Sequence, residues 1–309
     1  MLDLFSRVFR PKLAPINTLD FTVRSGGERS GIAIGAIVRD ESLYIDEWLK
    51  FHEMAGVDHF FIYDDGSEDD TILIAQKACK RAKVTVFPWS QRLKSLASRV
   101  AINNQILAYG HCLENFSHRF RWMSFLDIDE YLVPVEDITI SDALRELDGI
   151  PLIVLPWVMF GTSGHAQRPP KPTIEAYTQR LTASSKEGVR GLFNVKCIFD
   201  PFTVTRLHVH RIKVNNGPYA WNDRGDRFLF TSALKPISLS ASRIQLNHYY
   251  SRSREDVEEK IAKGGGTYTS RAARDRKLLE QRIAFIDSNC TTDTKILDYL
   301  SRVNGAIYS

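Results

Sequence analysis

Cysteine is scarce in this sequence, and the four present, Cys79, Cys112, Cys197 and Cys290, lie far apart with no Cys-x-x-Cys pair. That spacing speaks against a zinc cluster or a disulfide framework and fits a reducing compartment. No apolar run approaches the roughly 20 residues that a membrane-spanning helix needs. The opening segment, Met1 to Arg10, carries Asp3 and has no continuous apolar stretch, so it does not read as a secretory signal. Its Leu2, Leu4, Phe5, Val8 and Phe9 allow a short basic amphipathic helix lying on a membrane surface. Nor is there an excess of one charge: 41 basic against 37 acidic residues leave +4, too balanced for a nucleic-acid-binding face. Repeats and low-complexity tracts are absent. The expectation is a cytoplasmic protein, with peripheral contact at the inner face of a membrane the one membrane association allowed.

What is present is the make-up of a soluble globular chain: 309 residues, 43% hydrophobic and 25% charged. Residues 1–30 read as a tail and linker, 31–270 as one α/β domain and 271–309 as a helical C-terminal extension. Gly31 to Val38 is a continuous apolar run, as in a strand buried on both faces. Ile45, Trp48, Leu49, His52 and Ala55 recur at helical spacing before Gly56. His59 to Tyr63 predicts a second strand, and Ser67 with Asp70 resembles a capping box for the helix that follows. Lys83 to Phe87 predicts a third strand, residues 94–115 a long helix, and Arg121 to Leu126 a fourth strand. Further on, Pro151 to Leu155 reads as a strand, 191–211 as paired strands and 217–227 as a loop. Ser253 with Asp256 caps a helix through Ile261, which Gly264 to Gly266 would break, and a last helix carries Ile296, Leu297, Leu300 and Val303. Alternating strands and helices with short connections imply a largely parallel sheet flanked by helices.

Ligands of such sheets gather beyond the carboxyl ends of the strands. The first strand ends at Arg39-Asp-Glu41, the second at Asp64-Asp65 and the fourth at Asp127-Ile-Asp-Glu130. Three strand ends thus carry three acidic clusters. If the chain stays extended after the fourth strand, Asp127 and Asp129 fall on one side and can share a hard cation. Such an ion neutralises a departing diphosphate. Asp64 and Asp65, acceptor-only when ionised, suit a base N–H or ribose hydroxyls.

These clusters do not stand alone. Val38-Arg-Asp-Glu41, Glu47-Trp48, His52, Gly56-Val57, Tyr63-Asp-Asp-Gly-Ser67, Gln105, Tyr109 and Leu126-Asp-Ile-Asp-Glu-Tyr131 follow in order. Phe160-Gly-Thr-Ser-Gly-His165, Val195-Lys196, His208 or His210, and Leu246-Asn-His-Tyr249 continue the series. Over residues 32–265 the chain resembles glycosyltransferase family 92 and its family 2-like bacterial relatives. The resemblance implies a GT-A type, Rossmann-like mixed and mostly parallel sheet, with the C-terminal extension on the acceptor side. It further implies a nucleotide-sugar donor, with uridine as base, a glycan acceptor, a divalent metal (Mn2+ or Mg2+) and inversion at the anomeric carbon. On that pattern Asp64 contacts the base, with Asp65, Arg39 and Glu41 nearby and Arg99 and Gln105 on a flanking helix. Asp127 and Asp129 serve the diphosphate and metal, and His248, with His210 as competitor, completes the metal site. Asp223, Asp226 and Glu130 are the candidate bases, with His165 another. Trp157, Phe160, Gly161 and His165 are the candidate acceptor surface. One departure concerns the first strand end, where the family has Asn-Glu and this chain has Asp40-Glu41.

Two rival readings carry discriminating features. A phosphatase of the haloacid dehalogenase type needs its Asp-x-Asp on the first strand, whereas three α/β elements precede it here. A binding protein that lost the chemistry would bind donor without transfer or donor hydrolysis.

Overall fold

The expected apolar runs pair as strands in the computed structural model, which describes residues 14–182, 192–231, 238–262 and 272–308. The helix anticipated over residues 1–10 and the break at Gly264 to Gly266 lie outside the described residues. The chain begins with β1 (Thr18–Asp20), β2 (Ile32–Val38), α1 (Ile45–Met54), β3 (His59–Asp64), α2 (Thr71–Ala78), β4 (Lys83–Pro88) and α3 (Asn104–Phe116). It continues with β5 (Trp122–Phe125), β6 (Glu130–Pro134), α4 (Ile140–Leu144), β7 (Leu152–Met159), α5 (Thr173–Ala176), β8 (Gln179–Leu181) and β9 (Val195–Phe199). Then follow β10 (Val204–His208), β11 (Ile212–Val214), β12 (Tyr219–Trp221), β13 (Arg227–Leu229), β14 (Ile244–His248) and α6 (Arg254–Ala262). The last elements are α7 (Ala272–Ser288), β15 (Cys290–Thr292) and α8 (Lys295–Tyr308). No helix among the described residues is long and apolar enough to cross a membrane.

Among the described residues ten strands form the main sheet, in the order β13-β12-β7-β9-β5-β2-β3-β4, with β14 joining β6 to β7. Strands β2, β3, β4 and β5 are parallel. β9 runs antiparallel between β5 and β7, so β5 and β7 point the same way. β14 is parallel to β7 and antiparallel to β6. The carboxyl ends of β2, β3, β5, β7 and β14 therefore meet the amino ends of β6 and β9 at one rim.

Helices cover both faces. On one side α1, α2, α4 and α8 enclose a core that includes Trp48, Phe60, Leu132, Ile153 and Tyr299. On the other, α3 places Tyr109 in a core with Phe61, Phe125 and Phe199. β2 is apolar along its whole length because it has a neighbour on each edge and a helical layer on each face. At Gly35 a Cβ would stand 2.8 Å from the Phe125 ring, so the glycine lets that ring lie against the strand. Ile296, Tyr299 and Val303 of α8 belong to the first core. Within the expected tail, β1 pairs with β10.

Four local expectations need correction. Residues 94–103 are not helical: Lys94 bridges Ala101, and α3 starts only at Asn104, where Asn103 caps it by accepting from Gln105 N. Ser67 does not cap α2, because its hydroxyl accepts from Asp40 N at 3.0 Å while Asp69 accepts from Thr71 N. The strands within 191–211 do not pair with each other; β9 joins the main sheet and β10 a smaller one. The expected loop at 217–227 contains β12 and the start of β13, paired antiparallel. By contrast, Ser253 and Asp256 exchange backbone-to-side-chain bonds of 3.0 and 3.1 Å at the start of α6, as a capping box does.

His52 ties α1 to β6. It is fully buried, its Nδ1 lies 2.9 Å from Trp48 O, and Leu132 N donates to its Nε2 at 3.2 Å. Both nitrogens are used by the neutral ring, and burial lowers its pKa from 6.5 to about 3. The unfolded chain therefore binds a proton that the folded one refuses between these values, so stability falls as pH falls through that window. In His52→Gln, denaturant titrations near pH 5 should show the slope of stability against pH reduced by up to about 1.4 kcal/mol per pH unit, one proton's worth. An unchanged slope would contradict the assignment.

Candidate active site

The rim collects the acidic clusters, but the chain after β5 does not stay extended. It turns at Asp127 to Glu130: Glu130 N donates to Asp127 O at 3.0 Å, and Asp127 N donates to Glu130 Oε2 at 2.8 Å. The two aspartates consequently have different neighbours. Asp127 accepts from Gln105 Nε2 at 3.0 Å and from Lys196 Nζ at 2.9 Å. Lys196, whose side chain is 2% exposed, also reaches Glu130 Oε2 at 3.1 Å. Asp129 Oδ1 faces His248 Nε2 at 3.5 Å, and its Oδ2 lies 3.4 Å from Lys260 Nζ on α6. Arg252 adds a third cation, its guanidinium lying 3.4 Å from the Tyr44 ring centroid and donating to Ile128 O at 3.3 Å.

Trp157 closes the far wall. Its Nε1 donates to Glu130 Oε1 at 2.6 Å, and its ring centroid lies 4.3 Å from that of His248 and 5.4 Å from that of His210. Burial alone would raise the carboxyl pKa values of Asp127 and Asp129. Lys196 beside Asp127, and His248 and Lys260 beside Asp129, reverse this and hold both below the usual range. Glu130, fully buried, is pushed up to about 7 by desolvation despite Lys196. Burial and Lys196 bring His210 down to about 3, which keeps its ring neutral.

At the neighbouring strand ends, Asp65 accepts from Asn104 Nδ2 and Arg92 Nη1, both at 2.8 Å, and Asp64 accepts from Ser67 N at 3.0 Å. Asp40, with φ of 53°, sits in the left-handed region that Asn and Asp tolerate better than other side chains. The Asp in place of the family's Asn thus meets the same backbone demand. Its Oδ1 accepts from Glu68 N at 2.7 Å, linking the ends of β2 and β3. Arg39 is half-exposed, 3.7 Å from Asp40, and the Glu41 carbonyl accepts from Tyr44 N and Ile45 N at the start of α1.

Several expected residues stand elsewhere or are engaged otherwise. Arg99 is exposed on the irregular segment before α3, not on a helix. Asp223 is fully buried and accepts from Arg243 N and Ile244 N at 2.6 and 3.1 Å. It fixes the start of β14, four residues or about 13 Å from His248 at strand rise, so it cannot serve as base. Asp226 is bound to Asn222 and Arg224 in the same hairpin. Glu130 has both oxygens engaged by Trp157, Lys196 and Asp127 N inside the protein, which removes it as a base for an acceptor hydroxyl. Phe160 is fully buried against Tyr249 and offers no sugar-stacking face. Gly161 makes room for Asp287, whose oxygen would lie 2.3 Å from a Cβ there and which accepts from Thr162 N at 2.8 Å. His165 lies 3.1 Å from Ala176 O through Nε2 and lines a separate hollow with Thr162 and Asp287.

The metal expectation also changes. Among the described residues no group of three or more His, Cys, Asp or Glu side chains converges as ligands, and Asp127 is committed to Lys196. The remaining pair, Asp129 and His248, offers one carboxylate oxygen and one imidazole nitrogen at a separation suited to sharing a coordination shell. His248 Nδ1 and His210 Nδ1 are buried without partners. A cation that takes few protein ligands and completes its shell with substrate phosphates fits this donor set.

The sequence profile of glycosyltransferase family 92 matches residues 35–284. The chain belongs to glycosyltransferase family 92. A family 92 protein of Oryza sativa subsp. japonica is 22% identical over 244 residues, covering 77% of this chain and 36% of its own length. One of Ricinus communis is 23% identical over 248 residues, with coverages of 77% and 38%. The family 92 chain described here thus spans little more than a third of these curated relatives. Among solved structures, it is similar to glucosyl-3-phosphoglycerate synthase from Mycobacterium tuberculosis with Mn2+, UDP-glucose and phosphoglyceric acid. That match has 15% identity and a TM-score of 0.30, covering 57% of this chain and 58% of that one. The mannosyltransferase Ktr4p of S. cerevisiae matches at 13% identity with a TM-score of 0.27, covering 48% and 44%.

Lys196, one of the family-like residues, acts as the buried partner of Asp127 and Glu130. A single lysine inside the apolar strand Val195-Lys-Cys-Ile-Phe199 is the available signal, since lysine is rarely buried unless paired. Removing it strands two carboxylates. Lys196→Met should therefore lower unfolding stability by about 3–5 kcal/mol in urea titrations. Adding Glu130→Gln should recover part of that loss. Full additivity would show that the two side chains are not coupled.

Proposed function

We propose that this chain transfers a sugar from a nucleotide-sugar donor, with UDP as the nucleotide, to a glycan acceptor. The reaction inverts the anomeric centre and depends on Mn2+ or Mg2+. The observation that carries the reading is the division of labour at the rim. Asp129 Oδ1 and His248 Nε2 face one another at 3.5 Å, a donor pair that a cation would use, while Asp127 has its two oxygens taken by Gln105 and Lys196.

Asp64 and Asp65, held by the Ser67 turn and by Asn104, receive the base and ribose as hydrogen-bond acceptors. Asp129 and His248 would hold the cation, which when bound supplies charge neutralisation to the diphosphate leaving group. Lys260 and Arg252 stand beside Asp129 and add fixed positive charge where negative charge develops, at little reorganisation cost. Trp157 packs against His248 and keeps its ring in register with Asp129.

One feature favours a second reading, a binding protein without transfer: Lys196 and Lys260 already offset the acidic cluster. Turnover decides between them. In a donor screen with Mn2+ that follows nucleotide release, Asp129→Ala and His248→Ala should each reduce turnover by about 10²-fold or more. Chelation should abolish turnover reversibly. Activity that persists in excess chelator would remove the cation from the scheme, and tight donor binding with no release across a broad acceptor panel would favour the second reading.

A further inference from the structure

Beyond Trp157, on the side away from Asp64 and Asp65, lies a cavity of about 470 Å³, within the roughly 300–1,000 Å³ common for small-molecule sites. Sheet order sets its place: β2 to β4 carry the nucleotide-side residues, the acidic turn follows β5, and the cavity lies past β9 at the end of β7. A donor seated on the first half would therefore present its sugar toward this space. Three cations converge on it from separate segments: Arg180 of β8, Arg211 of the β10–β11 turn and Lys295 at the start of α8. Among the described residues no carboxylate lines it.

Asp293 stands behind the wall, 3% exposed, and pairs with Arg180 at 2.7 Å. Lys295 Nζ donates to the Gln245 Oε1 amide at 2.9 Å, and Arg211 Nη1 to the Thr231 carbonyl at 2.6 Å. These acceptors are neutral, so among the described residues the Lys295 ammonium and the Arg211 guanidinium have no carboxylate hydrogen-bond partner, Asp293 Oδ1 being taken by the Lys295 backbone N–H at 3.1 Å. A concave wall of one sign with low-dielectric surroundings concentrates counter-charged ligands, and guanidinium matches carboxylate and phosphate geometry. Phe193, half-exposed on the same wall, provides an apolar face for a sugar ring. Arg211 follows His210, whose ring packs on Trp157, so the cationic wall adjoins the acidic rim.

We propose that this cavity receives the acceptor and that the acceptor is anionic, a saccharide bearing a carboxylate or a phosphate. The assignment of the ligand as acceptor rests on the transferase reading above. The test titrates the full chain at low salt with glucose, glucuronate and glucose 6-phosphate, and separately with UDP in the presence of Mn2+. At least one anionic sugar should bind tenfold or more tightly than glucose. That preference should fall at least tenfold in Arg211→Gln and in Lys295→Gln and persist in Arg211→Lys. A preference for glucuronate identifies a uronic acid acceptor, and one for glucose 6-phosphate a phosphorylated one. Equal binding of glucose and the anions, anion binding untouched by both glutamine substitutions, or no saccharide binding at all overturns the proposal. Failure of the UDP titration with anion selectivity intact would instead strike the transferase reading and leave the cavity as an anionic-saccharide site.

Discussion

A buried ammonium holds the acidic rim in place. Lys196 lies between Asp127 and Glu130 with almost no solvent contact, where charges interact far more strongly than in water. Desolvation works against this lysine, and the two carboxylates overcome it, raising its pKa well above the usual lysine value. From this one contact the other positions follow. Glu130, fixed through Oε2, offers Oε1 to Trp157. Trp157 then packs on His248, which faces Asp129. Asp127, held on its other oxygen by Gln105, cannot swing toward Asp129. The two aspartates of the Asp-x-Asp motif thus have different partners because of the charge placed beside the first.

Strand polarity explains why these residues meet. β9 is the antiparallel strand inserted between β5 and β7, and this brings its amino end, with Lys196, to the rim where the other strands end. β14 pairs with both β6 and β7, which sets His248 opposite Glu130 in register. An all-parallel sheet would have put Lys196 at the opposite edge. The mixed sheet is therefore the condition for the lysine-centred cluster. It also places the cationic cavity and the strand-end aspartates Asp64 and Asp65 on opposite flanks of it.

Much of the first half was legible because buried parallel strands write themselves as apolar runs. Ile32 to Val38, His59 to Tyr63 and Lys83 to Phe87 needed no tertiary information, and acidic residues at their ends marked the rim. Legibility failed where a side chain's partner is distant in sequence. Lys196 lies 69 residues from Asp127, and no local pattern announces that pairing. Asp223 read as a loop carboxylate open to substrate, yet it caps the backbone of a strand 20 residues on. Residues 94–103 have helical composition but an irregular path pinned by bridges to Ile16 and across Lys94 and Ala101. At Phe160-Gly161 the ring packs against Tyr249 and the glycine makes room for Asp287, which belongs to a helix whose sequence gives no hint of that contact.

The most direct test of the lysine-centred rim is a crystal structure of the chain with Mn2+ and UDP. The cation should be bound by Asp129 and His248 together with the diphosphate, while Lys196 stays between Asp127 and Glu130. A cation bridging Asp127 and Asp129, with Lys196 displaced from the cluster, would contradict it.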